Sequence, residues 1–96
     1  MLHTLINSPF KSNLILLNKI LTKKDDLIIL QDGVLLALKN NIFLKKNFFK
    51  KKKNYVLLND LKARGILFSN ISNFFIPISY KYFVNLTENH KQQILW

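Results

Sequence analysis

Asp32 and Asp60 each follow a short apolar run, Leu27 to Leu30 and Tyr55 to Leu58. If both runs are parallel strands, both carboxylates stand at carboxyl ends. That edge is where open α/β sheets build their sites. Each aspartate can cap the helix that follows it, or form a polar rim against which a neighbouring subunit docks. His3 and His90 are the only histidines, and there is no cysteine. Two imidazoles without thiols are a poor zinc set, so no metal and no cofactor is expected. His3 reads as half-buried on a first strand, and His90 as solvated at a helix end. Ser8, Ser12, Ser69, Ser72 and Ser79 occupy turn or cap positions, and none lies in a G-x-S-x-G elbow. With Gly33 and Gly65 the only glycines, neither a dinucleotide fingerprint nor a Walker loop can be written. No catalytic residue is expected.

A second kind of chemistry resides in the segment 43–53. Lys45-Lys46 and Lys50, Lys51, Lys52 and Lys53 are interleaved with Phe43, Phe48 and Phe49. Aromatics among lysines can stack the bases of single-stranded RNA. The same pattern arises when the aromatics face a core and the lysines face water. A membrane-surface helix is a third reading, but the segment is short for one.

Elements must hold these groups in place. Leu2 to Ile6 reads as a first strand, ended by the turn signal Asn7-Ser8-Pro9. Ser12 can cap a helix running to Lys19–Leu21, with Leu14, Leu17 and Leu21 on one face and Leu16 and Ile20 beside it. Asp26 leads into Leu27-Ile28-Ile29-Leu30, continuous rather than alternating, as in a strand buried on both faces. Val34 to Lys39 reads as helix starting at Asp32 or Gly33. After residues 40–54, Tyr55-Val56-Leu57-Leu58 is a third strand. Asn59 or Asp60 can cap a turn of helix through Arg64, closed by Gly65. Phe74 to Ile78 is a fourth strand, which Pro77 confines to a strand end or a sheet edge. Ser79 can cap a last helix, Tyr80 to about Asn89, with Phe83 and Leu86 inward. The tail Gln92 to Trp96 ends too apolar to stay in water and is expected to dock. This alternation predicts an α/β fold, a mainly parallel central sheet flanked by helices.

Ninety-six residues predict a single domain, 1–96. The longest nearly apolar window, Leu27 to Leu38, is much shorter than the roughly 20 residues a bilayer requires. The start has no basic stretch ahead of its apolar residues, unlike a signal peptide. A cytoplasmic protein is expected. The net charge of +10 suggests nucleic acid, but fourteen of the fifteen basic residues are Lys and Arg64 is the only Arg. Lys, Asn, Ile and Phe all have A- and T-rich codons, so compositional drift produces this charge without selection for a binding face. Bidentate phosphate or base contacts would call for more Arg.

Four patches spread along the chain carry a resemblance. They are Met1-Leu2-His3-Thr4-Leu5, Leu30-Gln31-Asp32-Gly33-Val34, Leu58-Asn59-Asp60-Leu61-Lys62-Ala63-Arg64-Gly65 and Gln92-Gln93-Ile94-Leu95-Trp96. In order and spacing the chain resembles the TusB/DsrH family, small subunits of a bacterial sulfur-relay complex. The likeness is weakest over 41–54. It implies a DsrE-like fold and assembly with TusC and TusD into a heterohexamer, a dimer of heterotrimers. It implies that TusD carries the sulfur-accepting cysteine and that TusE takes the sulfur on. The end product is 5-methylaminomethyl-2-thiouridine at the tRNA wobble position. DsrH relatives in sulfur oxidisers can carry a cysteine. This chain does not, so the resemblance implies a structural or regulatory subunit on the tRNA side. Partner contacts are expected at Gln31, Asp32, Asp60, Tyr80 and Trp96. RNA contact is expected, if anywhere, at Lys50, Lys51, Lys52 and Lys53; otherwise tRNA is met only indirectly, and no membrane is involved.

Overall fold

The computed structural model describes residues 1–39, 41–43 and 53–96. Five strands form one sheet: β1 (Leu2–Leu5), β2 (Asp26–Ile29), β3 (Lys53–Leu57), β4 (Ile76–Ile78) and β5 (Gln93–Leu95). Their spatial order is β4-β3-β2-β1-β5, and every pairing is parallel. Parallel neighbours cannot be joined by hairpins, so each connection leaves the sheet and returns. The helices α1 (Leu14–Ile20), α2 (Leu58–Ala63) and α3 (Tyr80–Asn89) lie in these connections, with 3-10 turns at Pro9–Lys11, Gln31–Ala37 and Phe68–Asn70.

The apolar runs divide between two faces because successive strand side chains alternate. Leu5, Leu27, Ile29 and Val56 meet Leu14, Leu17 and Leu21 of the α1 region, Leu36, and Leu61 of α2. On the other face Leu2, Ile28, Tyr55 and Ile78 meet Leu86 of α3. Thus, among the described residues, most of the connections cover one face and α3 crosses the other.

Several local expectations are corrected. Asn13, not Ser12, caps α1 by accepting from the Leu16 N–H, while Ser12 donates its hydroxyl proton to the Ser8 carbonyl. The segment after β2 is a 3-10 helix beginning at Gln31, before Asp32 or Gly33. It runs close against β1: a Cβ on Gly33 would stand 2.3 Å from the Leu5 carbonyl oxygen. No side chain caps α2, so Asn59 and Asp60 do not serve that role. Gly65 does close the helix, at φ +68. The fourth strand is shorter than expected, and Pro77 sits in the middle of this edge strand. Ser79 caps α3 as its spacing suggested, accepting from the Tyr82 N–H. The docked tail is a fifth strand beside β1, held beyond its end by Trp96 N–H to the Thr4 carbonyl at 2.8 Å.

The two sides of α1 give a direct test. Leu17 is fully buried whereas Ile15 is 58% exposed. Leu17→Ala is expected to cost about 2–5 kcal/mol in urea unfolding, and Ile15→Ala less than about 0.5 kcal/mol.

Candidate functional site

All five expected partner positions follow the carboxyl ends of strands. Gln31 and Asp32 come after β2, Asp60 after β3, Tyr80 after β4 and Trp96 after β5. They are therefore spread along one edge of the sheet rather than gathered into a pocket.

The centre of that edge is built tightly. Leu30 donates its N–H to the Leu5 carbonyl, and Gly33 donates to the Leu30 carbonyl, both at 3.0 Å. Between them Gln31 takes φ 51, a left-handed conformation unfavourable for a residue with a side chain. Its N–H donates to Asp60 Oδ2 at 2.6 Å. A charged acceptor makes this bond stronger than a neutral one and holds the backbone in place. Asp60 thus reaches across from α2 to the neighbouring loop instead of capping its own helix. Asp32 pairs with Arg64 Nη2 at 2.7 Å. The pair is largely in water and contributes little to stability. Two links, Asp60 to Gln31 and Arg64 to Asp32, therefore join the loops after β2 and β3. They leave the Gln31 side chain exposed between two engaged carboxylates.

Tyr80 is 60% exposed, with its ring edge-on to Phe83 at 6.1 Å. Nearby, Tyr55, Ile76, Pro77, Ile78, Ser79 and Tyr82 line an open groove of about 420 Å³. Burial, then the hydrogen bond with Tyr82 and the charge of Asp26, push the Tyr55 phenol up to about 12. It stays neutral near neutral pH.

Trp96 is partly buried because its indole serves the fold. Its Nε1–H donates to His3 Nδ1 at 3.1 Å. That leaves the proton of neutral His3 on Nε2, which faces Asp25 Oδ2 at 3.4 Å. Asp25 also takes the Met1 amino group at 3.0 Å and the Thr22 N–H at 3.0 Å. His3 is wholly buried, not half-buried. His90 is not solvated either: it meets Asp26 Oδ2 at 2.7 Å. Sequence reading overlooked Asp25, whose only signal is its place ahead of an apolar strand. Arg64 stood out in sequence as the sole arginine, yet its link to Asp32 was missed.

Lys50, Lys51 and Lys52 lie outside the described residues, and Lys53 is described only by its place in β3. Of the interleaved aromatics, Phe43 packs edge-on against Phe10 at 5.2 Å. Among the described residues no three His, Cys, Asp or Glu side chains gather as a metal set. No helix among them is long and apolar enough to cross a membrane.

A family model described as "DsrH like protein" matches residues 7–93. The chain belongs to the DsrH-like family. It is 54% identical to Protein TusB of Buchnera aphidicola subsp. Schizaphis graminum, over 100% of both chains. It is 44% identical to Protein TusB of Escherichia coli O1:K1 / APEC, again over 100% of both. Two solved structures share the fold. One, from Thermotoga maritima, superposes with TM-score 0.70 at 22% identity, covering 96% of this chain and 97% of the other. The second is a protein of unknown function from Methanobacterium thermoautotrophicum, with TM-score 0.75 and 12% identity over 99% and 97%. The α/β class and the family resemblance read from the sequence both hold.

Two predictions come from these contacts. Burial holds the His3 pKa below its ordinary 6.5, outweighing Asp25, which acts in the opposite direction. The unfolded chain therefore takes up the proton first as pH falls. His3's contribution is complete above about pH 6.5 and is lost below it. For Asp25, burial alone would raise the carboxyl. The Thr22 N–H, the Met1 amino group and His3 instead hold it below 3.8, adding a second loss in stronger acid. Urea midpoints should fall from about pH 7.5 to about pH 5.5, and His3→Gln should shrink that fall. Gly33→Ala, which drives a Cβ against the Leu5 carbonyl, should cost about 1–3 kcal/mol in the same assay.

Proposed function

We propose that this chain is a non-catalytic subunit of a TusB–TusC–TusD sulfur-relay complex. The complex serves 2-thiolation of 5-methylaminomethyl-2-thiouridine at tRNA wobble positions. One observation carries the reading: full-length likeness to proteins named TusB in a chain without cysteine. A protein persulfide is a second sulfur bonded to a cysteine sulfur, and this chain has no cysteine to hold one. The chain's role is then to hold shape and contacts while TusD carries the sulfur and TusE receives it. In this reading residues 1–96 act as one domain in a cytoplasmic heterohexamer, a dimer of heterotrimers.

The exposure of Gln31, Asp32 and Tyr80 supports their use as contacts with TusC or TusD. The bond from the Gln31 N–H to Asp60 anchors the backbone of this loop, which lowers the entropy lost when a partner binds there. Trp96 already serves His3 through its indole N–H, so any part it plays in an interface falls to the rest of its surface. The basic segment 43–53 remains the place where tRNA would be touched directly, if the assembled complex needs such a contact.

The test is mass spectrometry of nucleosides from total tRNA, in cells with and without the gene. Wobble 2-thiouridine should disappear on deletion and return when the cysteine-free chain is supplied. Unchanged 2-thiouridine in the deletion would overturn the reading.

A further inference from the structure

The helix α1 is apolar on both sides. Leu14 and Leu17 enter the core. The opposite arc carries Ile15, Leu16 and Ile20, which are 58%, 44% and 39% exposed. At 100° per residue Lys19 falls inside that arc, between Ile15 and Leu16. A surface helix normally turns a polar face to water, and an apolar outer face marks a contact.

The surrounding charge indicates what meets it. Lys19, Lys23 and Lys24 are exposed, and none has an ion pair among the described residues. No acidic residue occurs before Asp25. Asp25 and Asp26, next in the chain, are engaged by the Met1 amino group, His3 and His90. The charged side chains of α1 and of the turn after it, Lys19, Lys23 and Lys24, are therefore all positive.

From this we infer that the outer face of α1 docks a protein partner whose own apolar patch is rimmed by carboxylates, one of them opposite Lys19. The inference rests on the reading of the chain as a subunit. A second copy fits poorly, because self-pairing would oppose lysine to lysine on chains of net charge +10. A lipid surface fits poorly too. An interfacial helix keeps its charges on the flanks of the apolar stripe, whereas Lys19 stands within it.

The test titrates the full chain against the purified TusC–TusD pair by calorimetry. Leu16→Asp and Lys19→Glu should each weaken binding about tenfold or more, and added salt should weaken the wild type. Asn85→Asp, on α3 across the sheet, should bind as the wild type does. Thermal melts of the variants should match, since both α1 sites are exposed. Binding that is the same for wild type and both α1 variants overturns the α1 surface and leaves the subunit reading standing. No binding by the wild type overturns the subunit reading and this inference with it. Sedimentation of the chain alone and flotation with phosphatidylglycerol vesicles cover the other occupants. Self-association or vesicle binding that Leu16→Asp abolishes would give the face to a second copy or a lipid surface, and would overturn the inference.

Discussion

Parallel pairing of short strands sets the terms for the rest of this chain. Each of β1 and β2 is four residues long and flanked by strands on both sides. Such strands have few hydrogen bonds each, so their stability rests on side chains buried on both faces. Leu5, Leu27 and Ile29 on one face and Leu2 and Ile28 on the other are all wholly buried. Every connection must then cross back over the sheet. With so little chain available, the crossings are short helices and 3-10 turns packed close to the strands. The approach of Gly33 to the Leu5 carbonyl is the tightest of these contacts among the glycines.

Tight crossings leave polar groups to be satisfied locally, and two aspartates do much of that work. Asp60 receives the N–H of a residue in a left-handed conformation that would otherwise be unfavourable. Asp25 gathers the Met1 amino group, the Thr22 N–H and His3 at the start of β2. His3 in turn accepts from Trp96, so residues from opposite ends of the sequence depend on the protonation of one imidazole. A proton added at Nδ1 would set two N–H groups against each other.

The legible parts of the sequence were those governed by near neighbours. Leu27 to Leu30 reads as a doubly buried strand because continuous apolarity has few other uses at that length. Ser79 and Gly65 announce a helix start and a helix stop through local geometry, and Pro77 announces an edge. The fifth strand was less legible, because Gln93 and Leu95 face solvent and only the pairing with β1 reveals its form. The roles of Asp60 and His3 were illegible for another reason. Their partners lie 29 residues away for Asp60, and 22 and 93 away for His3, separations over which sequence spacing carries no geometry. Of the candidate site, the sequence located the residues at the strand ends but not the links between them.

Pro77 also gives the sheet a sidedness. Its register opposite Val56 and its missing N–H require that Ile76 and Ile78 make the ladder to β3. The outer rim of β4 therefore offers the carbonyl of Pro77 and no amide proton. At the opposite rim, Trp96 bonds to Thr4 and Leu2 to the Gln92 carbonyl, which turns the backbone of Gln93 and Leu95 outward with donors and acceptors both present. Extension by another strand is chemically closed at β4 and open at β5. A continuous ribbon of copies stacked edge to edge would need β4 at every junction if assembled head to tail, and at every second one if like edges meet, and each such junction lacks the β4 donor.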